Sequence, residues 1–123
     1  MQGLERGVST VAIGQFSAGE DKTTNLREIE RLAQTAAENG AKMLFLSEYS
    51  MYYAKVNARS KNIEAAEPCD GPFIIALGEL CRRYGLWIAA GMYERTAGLP
   101  YNTIAVLDDR GSLRGTHRKN RLY

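Results

Sequence analysis

Short, continuously apolar runs recur along the first ninety residues of the chain. Val8 to Phe16 contains the run Val11-Ala12-Ile13, Met43 to Leu46 is apolar throughout, and Leu86 to Ala90 forms a third run. Runs of this length without polar alternation are typical of strands covered on both faces in a parallel sheet. The pattern therefore predicts three buried strands.

The stretches between these strands carry apolar residues at helical spacing. The first begins at Asn25, which is predicted to form a capping box with Glu28, and it ends at Asn39-Gly40. The second begins at Gly71-Pro72 and ends at Gly85. The apolar faces consist of Leu26, Ile29, Ala33, Ala36 and Ala37 in the first helix, and of Phe73, Leu77, Leu80, Cys81 and Tyr84 in the second. A strand, a helix and a strand in succession predict a right-handed βαβ unit.

The carboxyl-terminal part predicts an antiparallel pair. Asn102 to Leu107 and Ser112 to Arg118 are joined by Asp108 to Gly111, whose composition suits a hairpin turn. The polar stretch from Lys55 to Glu67 predicts no regular element. The order β-α-β-α-β-β favours an α/β fold, and we expect one domain over residues 1–123 because no linker or repeat divides the chain.

Composition and charge restrict the classes of function. The 123 residues are 45% hydrophobic and 24% charged, as in an ordinary globular domain, and a net charge of +2 predicts neither nucleic acid nor a membrane as partner. Two cysteines are too few for a disulfide framework, and neither lies in a metal-binding motif. Met1 to Gly7 lacks the order of a signal peptide. We therefore expect a soluble cytoplasmic protein.

Two polar residues follow predicted strands. Glu48 should emerge at the carboxyl edge of the parallel strands, where α/β proteins place their sites, although most glutamates are simply solvated. Lys119 follows the last predicted strand among Arg114, Arg118 and Arg121, and such clustered cations are expected to lower the pKa of a lysine. A solvated basic tail is the alternative for Lys119. Neither position is specific by itself.

The ordered motifs of this chain resemble the nitrilase superfamily along almost its whole length. They are Val11 to Gln15, Asn25-Leu26, Asn39 to Glu48, Asp70-Gly71-Pro72, Tyr84-Gly85-Leu86, Gly91 to Glu94, Tyr101-Asn102-Thr103 and Arg118-Lys119. No single motif is convincing, but their joint order and the element predicted under each argue against chance agreement. The chain is therefore identified as an amino-terminal portion of a superfamily member.

The resemblance implies a hydrolase of non-peptide carbon-nitrogen bonds that acts on a small amide, carbamoyl or nitrile substrate without metal or organic cofactor. In this family a cysteine thiolate attacks the substrate, a glutamate is the general base, and a lysine stabilises the tetrahedral centre. Glu48 and Lys119 match the positions of that glutamate and that lysine. The cysteine motif lies downstream of the lysine, so this portion alone is expected to be inactive.

The resemblance also bears on several secondary positions. Glu94 is a candidate buried carboxylate near the substrate, with a solvent-facing strand-end acid as the equal alternative, and Tyr101 and Asn102 are candidates for shaping nearby loops. Cys69 lies where the family has no nucleophile, and Cys81 falls on the apolar side of a predicted helix, as a core cysteine does. None of the three candidate substrate-binding residues is identified by its local motif alone.

Departures from the family pattern leave the subfamily open. Ser47 stands where proline is common, and His117 and Arg121 stand where many relatives have an aromatic residue and a histidine. A lone histidine such as His117 rarely makes a metal site. The full family fold resembles an α-β-β-α sandwich that commonly dimerises. The resemblance thus implies a partial sandwich here and a homo-oligomer for the full-length form.

Three other classes of protein share some of these features. A nitrilase-like binding or regulatory module would also lack the nucleophile motif. A nucleotide-binding domain would need a phosphate-binding turn, but Gly14 to Gly19 lacks the GxGxxG spacing. Nucleic-acid binding through the basic end would need aromatic residues interleaved with the basic ones, and this end has none apart from Tyr123. The hydrolase is favoured, with a small-molecule substrate as its partner and no nucleic acid or membrane.

Overall fold

Five strands form one mixed sheet in the computed structural model, which describes residues 9–119. The elements are β1 (Val11–Ile13), α1 (Lys22–Glu38), β2 (Met43–Phe45), α2 (Ala58–Ala65), α3 (Pro72–Tyr84), β3 (Trp87–Glu94), β4 (Tyr101–Leu107) and β5 (Leu113–Arg118). The sheet order is β1-β2-β3-β4-β5, with β1 to β3 parallel and β3 to β5 antiparallel. The α/β class predicted from the sequence is confirmed.

The structure adds one helix to the predicted elements, and its five strands are those that the pattern predicted, although the expected order β-α-β-α-β-β counts only four of them. The extra helix, α2, lies in the polar stretch for which the pattern predicted no regular element. Only Asn62 and Ala65 are buried in α2, so its sequence shows no recurring apolar positions at helical spacing. It begins after Asn57, whose φ of 55° is left-handed. Tertiary contacts, rather than an amphipathic pattern, therefore specify this helix.

The start of α1 was also predicted wrongly. Its N-cap is Asp21, whose carboxylate accepts hydrogen bonds from the backbone N–H groups of Thr23 and Thr24. Asn25 lies within the first turn and is buried, with its side chain bonded to both backbone groups of Gly19 and to the carbonyl of Met51. Asn25 therefore joins the loop after β1 to the loop after β2 instead of capping the helix.

Two strand boundaries needed correction. The described part of β1 covers only Val11–Ile13, shorter than the predicted strand, whose first residue Val8 lies outside the described residues. The third strand continues to Glu94 rather than stopping at Ala90, because it pairs with β4 as far as Glu94 opposite Tyr101. Glu94 and Tyr101 are consequently paired strand residues and not loop residues.

Helices α1 and α3 pack on one face of the sheet. Leu44, Ile88 and Leu107 lie in register across three strands on that face and are fully buried. Cys81 of α3 is also fully buried, which confirms its prediction as a core residue. Burial of this face is the main source of hydrophobic stabilisation.

The opposite face of the sheet is apolar and open to solvent in the described part of the chain. Ile13 is 77% exposed, and Phe45 and Trp87 on neighbouring strands are also exposed. Side chains alternate between the two faces along a strand, so odd-numbered residues of β3 share the face of Trp87. Within residues 9–119, no helix combines the length and apolar character needed to cross a lipid bilayer.

Candidate active site

Glu48 and Lys119 meet beyond the ends of two different strands. The Nζ atom of Lys119 lies 2.5 Å from each carboxylate oxygen of Glu48, although the residues are 71 apart in sequence. Glu48 follows β2 at the carboxyl edge of the parallel strands, and Lys119 follows β5 directly. The structure thus brings together the two residues that the sequence singled out for chemistry.

The turn that carries Glu48 is held against β3 by hydrogen bonds to Gly91. The N–H of Gly91 donates to the carbonyl of Ser47, and its carbonyl accepts from the N–H of Met51. The hydroxyl of the fully buried Ser50 is 3.1 Å from both the nitrogen and the carbonyl oxygen of Gly91. Glu48 is therefore presented by a fixed turn and not by a loose loop.

Lys119 is positioned by the antiparallel part of the sheet. Its backbone N–H donates to the carbonyl of Asn102, which continues the pairing of β5 with β4 by one residue. Asn102 pairs in turn with Tyr93 of β3. Tyr93, Asn102 and Lys119 therefore lie in one row across the sheet, on the same face as Gly91.

A second cluster occupies the opposite face, one residue earlier along β5. Arg118 donates from Nε and Nη2 to the two carboxylate oxygens of Glu94, at 2.9 and 2.7 Å. The hydroxyl of Thr103 donates to Glu94 at 2.8 Å, and the guanidinium carbon of Arg118 is 4.5 Å from the ring centroid of Tyr101. Glu94 is 8% exposed, so this is a largely buried carboxylate with its charge paired.

The sequence-based expectation for the pKa of Lys119 was wrong in sign. Its hydrogen bonds to Glu48 raise the pKa of Lys119 above the usual value of 10.5, against a smaller opposing effect of desolvation. Arg114 and Arg118 do not lower it because each is paired, with Asp108 and Glu94 respectively. Arg121 lies outside the described residues. Lys119 is therefore a permanent cation near neutral pH.

Charge pairing has the complementary effect on the second cluster. The hydrogen bonds from Arg118 hold the pKa of Glu94 below its usual range, although burial acts in the opposite direction. The same pairing raises the pKa of Arg118. Glu94 is ionised at neutral pH and already bonded to protein donors.

Neither cysteine has the properties of an activated nucleophile. Burial and the neighbouring Glu94 carboxylate raise the pKa of the partly buried Cys69 to about 11. Burial also raises the pKa of Cys81, in the core, to about 11. A nucleophilic cysteine needs the thiolate form, which both environments disfavour.

An open groove lies beside Glu48. It has a volume of about 410 Å³ and is lined by Phe16, Ser17, Ala18, Ser47, Tyr49, Tyr53 and Lys55. The Tyr49 ring lies 5.3 Å from that of Tyr53 and 6.2 Å from that of Tyr93, between ring centroids. We call this feature the Tyr49 groove. Sequence reasoning did not find it, although the closely spaced tyrosines after Glu48 were a visible signal.

Sequence reasoning also missed Glu67. Its carboxylate, in a residue 7% exposed, accepts a hydrogen bond from the backbone N–H of Phe73 in the first turn of α3 and an ion pair from Lys22 of α1, both at 2.7 Å. An acid ahead of the Gly71-Pro72 helix start was the available signal, because carboxylates are favoured at helix N-termini. Glu67 joins two helices to the end of β3 and takes no part in the Glu48 site.

No candidate metal site lies in the part of the chain that the structure describes. Among residues 9–119, no three His, Cys, Asp or Glu side chains converge in an arrangement that would hold a metal ion.

Comparisons with known proteins agree with this architecture. The family model described as carbon-nitrogen hydrolase matches residues 10–123. The chain is 30% identical to the nitrilase and fragile histidine triad fusion protein NitFhit of Drosophila melanogaster, over 94% of this chain and 25% of that protein. It is 33% identical to citrullinase of Francisella tularensis, over 89% of this chain and 39% of that protein.

A solved structure shows the same fold. The chain superposes on the crystal structure of the C. elegans NitFhit protein with a TM-score of 0.81 at 21% identity, covering 94% of this chain and 30% of that one. The chain thus spans between a quarter and about two fifths of the length of the proteins it resembles.

Proposed function

This chain belongs to the carbon-nitrogen hydrolase family of the nitrilase superfamily, and from that membership we propose that it supplies the general base and the charge-stabilising lysine of a hydrolase. The substrate bond is a non-peptide carbon-nitrogen bond in an amide, carbamoyl group or nitrile. The observation that carries the proposal is the contact between Glu48 and Lys119 across 71 residues.

Glu48 is proposed as the general base. In the proposed reaction its carboxylate takes the proton of a cysteine thiol while the sulfur bonds to the substrate carbon, and it returns that proton to the departing amine. It then takes a proton from water, whose oxygen attacks the thioester carbon, and it gives that proton to the departing cysteine sulfur as the carbon-sulfur bond breaks, which restores the thiol and the Glu48 carboxylate. The fixed turn around Gly91 holds the carboxylate in place for both transfers.

Lys119 has the charge and the free donor required for the second role. An ammonium group has three N–H donors, and two suffice for the contacts with the Glu48 oxygens. The third can donate to the negative atom that develops at the tetrahedral centre. Its raised pKa supports a role as a permanent cation and argues against a role as a base.

Glu94 is proposed to act on this site through Arg118 and not on the substrate. Its carboxylate is bonded to Arg118 and Thr103 on the face opposite Lys119. Arg118 directly precedes Lys119, so anchoring its side chain fixes the end of β5. Tyr101, stacked on Arg118, supports the same anchor, and Asn102 fixes Lys119 through its backbone carbonyl. These three are positioning residues in this proposal.

The remaining parts of the proposal concern the whole protein. The nucleophile is supplied by a cysteine outside these 123 residues, because Cys69 and Cys81 are both held in the thiol form. The full-length form is a cytoplasmic homo-oligomer without metal or organic cofactor. The open apolar face of the sheet, which includes Ile13, supports association of this portion with further protein.

Two measurements test this proposal. The coding DNA is sequenced beyond codon 123, and the encoded protein is assayed for ammonia release from simple amides. We expect the frame to continue into a strand followed by a cysteine. Glu48→Gln and Lys119→Met should each lower kcat/KM by about 100-fold or more. The matched controls Glu79→Gln and Lys42→Gln remove exposed charges away from the site and should leave kcat/KM unchanged.

Three outcomes would contradict the proposal. Full activity of Glu48→Gln would remove its general base. Hydrolysis of an amide by the purified 123-residue chain would show that the nucleophile is not outside it. An encoded protein that cleaves no amide, carbamoyl group or nitrile would leave the non-catalytic nitrilase-like module as the remaining hypothesis.

A further inference from the structure

The Tyr49 groove lies at the turn that carries the candidate base. Ser47 and Tyr49, which line it, are the chain neighbours of Glu48. Its volume of about 410 Å³ lies within the range of small-molecule sites, roughly 300 to 1,000 Å³. A substrate whose reacting carbon lies beside Glu48 therefore has room to extend its far end into this groove.

The walls of the groove suit a short carbon chain. Phe16 packs against the core, and the rings of Tyr49 and Tyr53 lie 5.3 Å apart. Tyr53 is 37% exposed, so apolar ring surface remains available to a ligand. Aromatic side chains offer rigid contact area at little cost in conformational entropy.

The groove has exposed polar donors that are free to bind a ligand. Within residues 9–119, the hydroxyls of Ser17 and Ser47 and the ammonium of Lys55 have no hydrogen-bond or ion-pair partner. Lys55 is the one charged side chain among the lining residues. The nearby charges of Glu48 and Lys119 offset each other, so the formal charge of the groove lining is the positive charge of Lys55.

A second and larger cleft lacks this property. It has a volume of about 580 Å³ between the start of α1 and α2, and its lysines already have acidic partners. Lys61 is 3.0 Å from Glu20, and Lys22 is 2.7 Å from Glu67. A ligand anion there would have to compete with carboxylates of the protein, whereas in the Tyr49 groove it would not.

We propose that the Tyr49 groove binds the far end of the substrate and that this end is a carboxylate, with Lys55 as its partner. The substrate class is a small aliphatic amide bearing an anionic group several bonds from the amide carbon. This inference rests on the proposed function because it takes Glu48 as the place of reaction. Lys55 is then a specificity-determining residue with no part in bond cleavage.

Three probes of equal chain length test the charge preference. Glutaramate, pentanediamide and 5-aminopentanamide share an amide and differ at the far end, which is anionic, neutral and cationic respectively. Their dissociation constants for the 15N-labelled chain are measured from backbone amide shifts at Ser17, Ser47, Tyr49 and Tyr53. The variants are Lys55→Gln and the control Lys42→Gln, which removes an exposed, unpartnered lysine at the opposite end of β2.

We expect glutaramate to bind about fivefold more tightly than pentanediamide, as for one partly exposed ion pair, and 5-aminopentanamide to bind most weakly. Lys55→Gln should abolish the difference, and Lys42→Gln should retain it. Equal affinity for all three probes, or a preference that survives Lys55→Gln, overturns the inference and leaves the proposed function intact. If no probe shifts these resonances, the groove is not the binding site and the inference is overturned, whereas the proposed function is decided separately by the activity of Glu48→Gln and Lys119→Met.

Discussion

Gly91 and Glu48 are in direct contact through their backbones. A Cβ atom added to Gly91 would overlap the carbonyl group of Glu48, which lies against the strand at that point. Gly91 also bonds to Ser47, Ser50 and Met51 in the same turn. The position of Glu48, the candidate base, thus depends on the lack of a side chain at Gly91, a residue that takes no part in the reaction.

Gly91→Ala should therefore displace the turn and separate Glu48 from Lys119. We expect the free energy of unfolding to fall by about 2 to 3 kcal/mol, as for overpacking of a buried site, when measured by urea denaturation. Gly115→Ala in β5 is the control, because a Cβ there meets nothing within 4 Å. Equal free energies of unfolding for the two variants would show that the contact between Gly91 and Glu48 does not restrict the size of residue 91.

Glu48→Gln should lower the pKa of Lys119 toward its ordinary value of 10.5, because the carboxylate is the main cause of the raised pKa. A lysine whose pKa is raised in the folded state stabilises the fold at pH values below its pKa in the unfolded state. This contribution is lost as pH rises through the folded-state pKa. NMR titration of the Lys119 side chain measures the change. Glu79→Gln on α3 should leave the titration unaltered, and a Lys119 pKa unmoved by Glu48→Gln would contradict the ion pair.

The Glu94 cluster predicts a different pH dependence. Its lowered pKa means that the ionised form stabilises the fold above the ordinary value of 4.5 and that this contribution is lost as pH falls through the folded pKa. Glu94→Gln should therefore be less stable than the parent at pH 7, with a smaller difference at pH 3. Urea denaturation at the two pH values tests this, and a difference that grows on acidification would have the wrong sign.

The two cysteines should react slowly with alkylating reagents. With a pKa of about 11, each thiol is ionised to less than about 0.1% at pH 7.5. Iodoacetamide labelling followed by mass spectrometry should be at least about tenfold slower than for free glutathione. Glu94→Gln should accelerate labelling of Cys69 but not of Cys81, because only Cys69 lies beside that carboxylate. Rapid labelling of Cys69 in the parent would reopen its candidacy as a nucleophile.

The sequence predicted those features that depend on local patterns. The strand Met43–Phe45 was visible as a continuous apolar run, and the apolar side of α3 was visible because its residues recur at helical spacing. The burial predicted for both faces of the strand was wrong, because Phe45 is exposed on the open face of the sheet. The placement of Glu48 followed from the rule that sites lie at the carboxyl edge of parallel strands. These inferences need only neighbouring residues and one topological rule.

The features that the sequence did not predict depend on contacts between distant segments. Asn25 was assigned as a cap, but its partners Gly19 and Met51 become visible only when two loops meet. The sign of the Lys119 pKa shift depended on Glu48, whereas the arginines considered from the sequence proved to be paired elsewhere. Neighbours in sequence were a poor guide to neighbours in space at both positions.

The order of two consecutive cations has a consequence for how β5 must pair. Arg118 faces Glu94 on the side of the helices, and Lys119 faces Glu48 on the other side, because adjacent strand residues point in opposite directions. A slip of β5 by one residue against β4 would put one of these cations in the place of the other and leave the second carboxylate without its cation. The two ion pairs at the carboxyl end of β5 therefore favour the observed register, because a shift of one residue would break both at once.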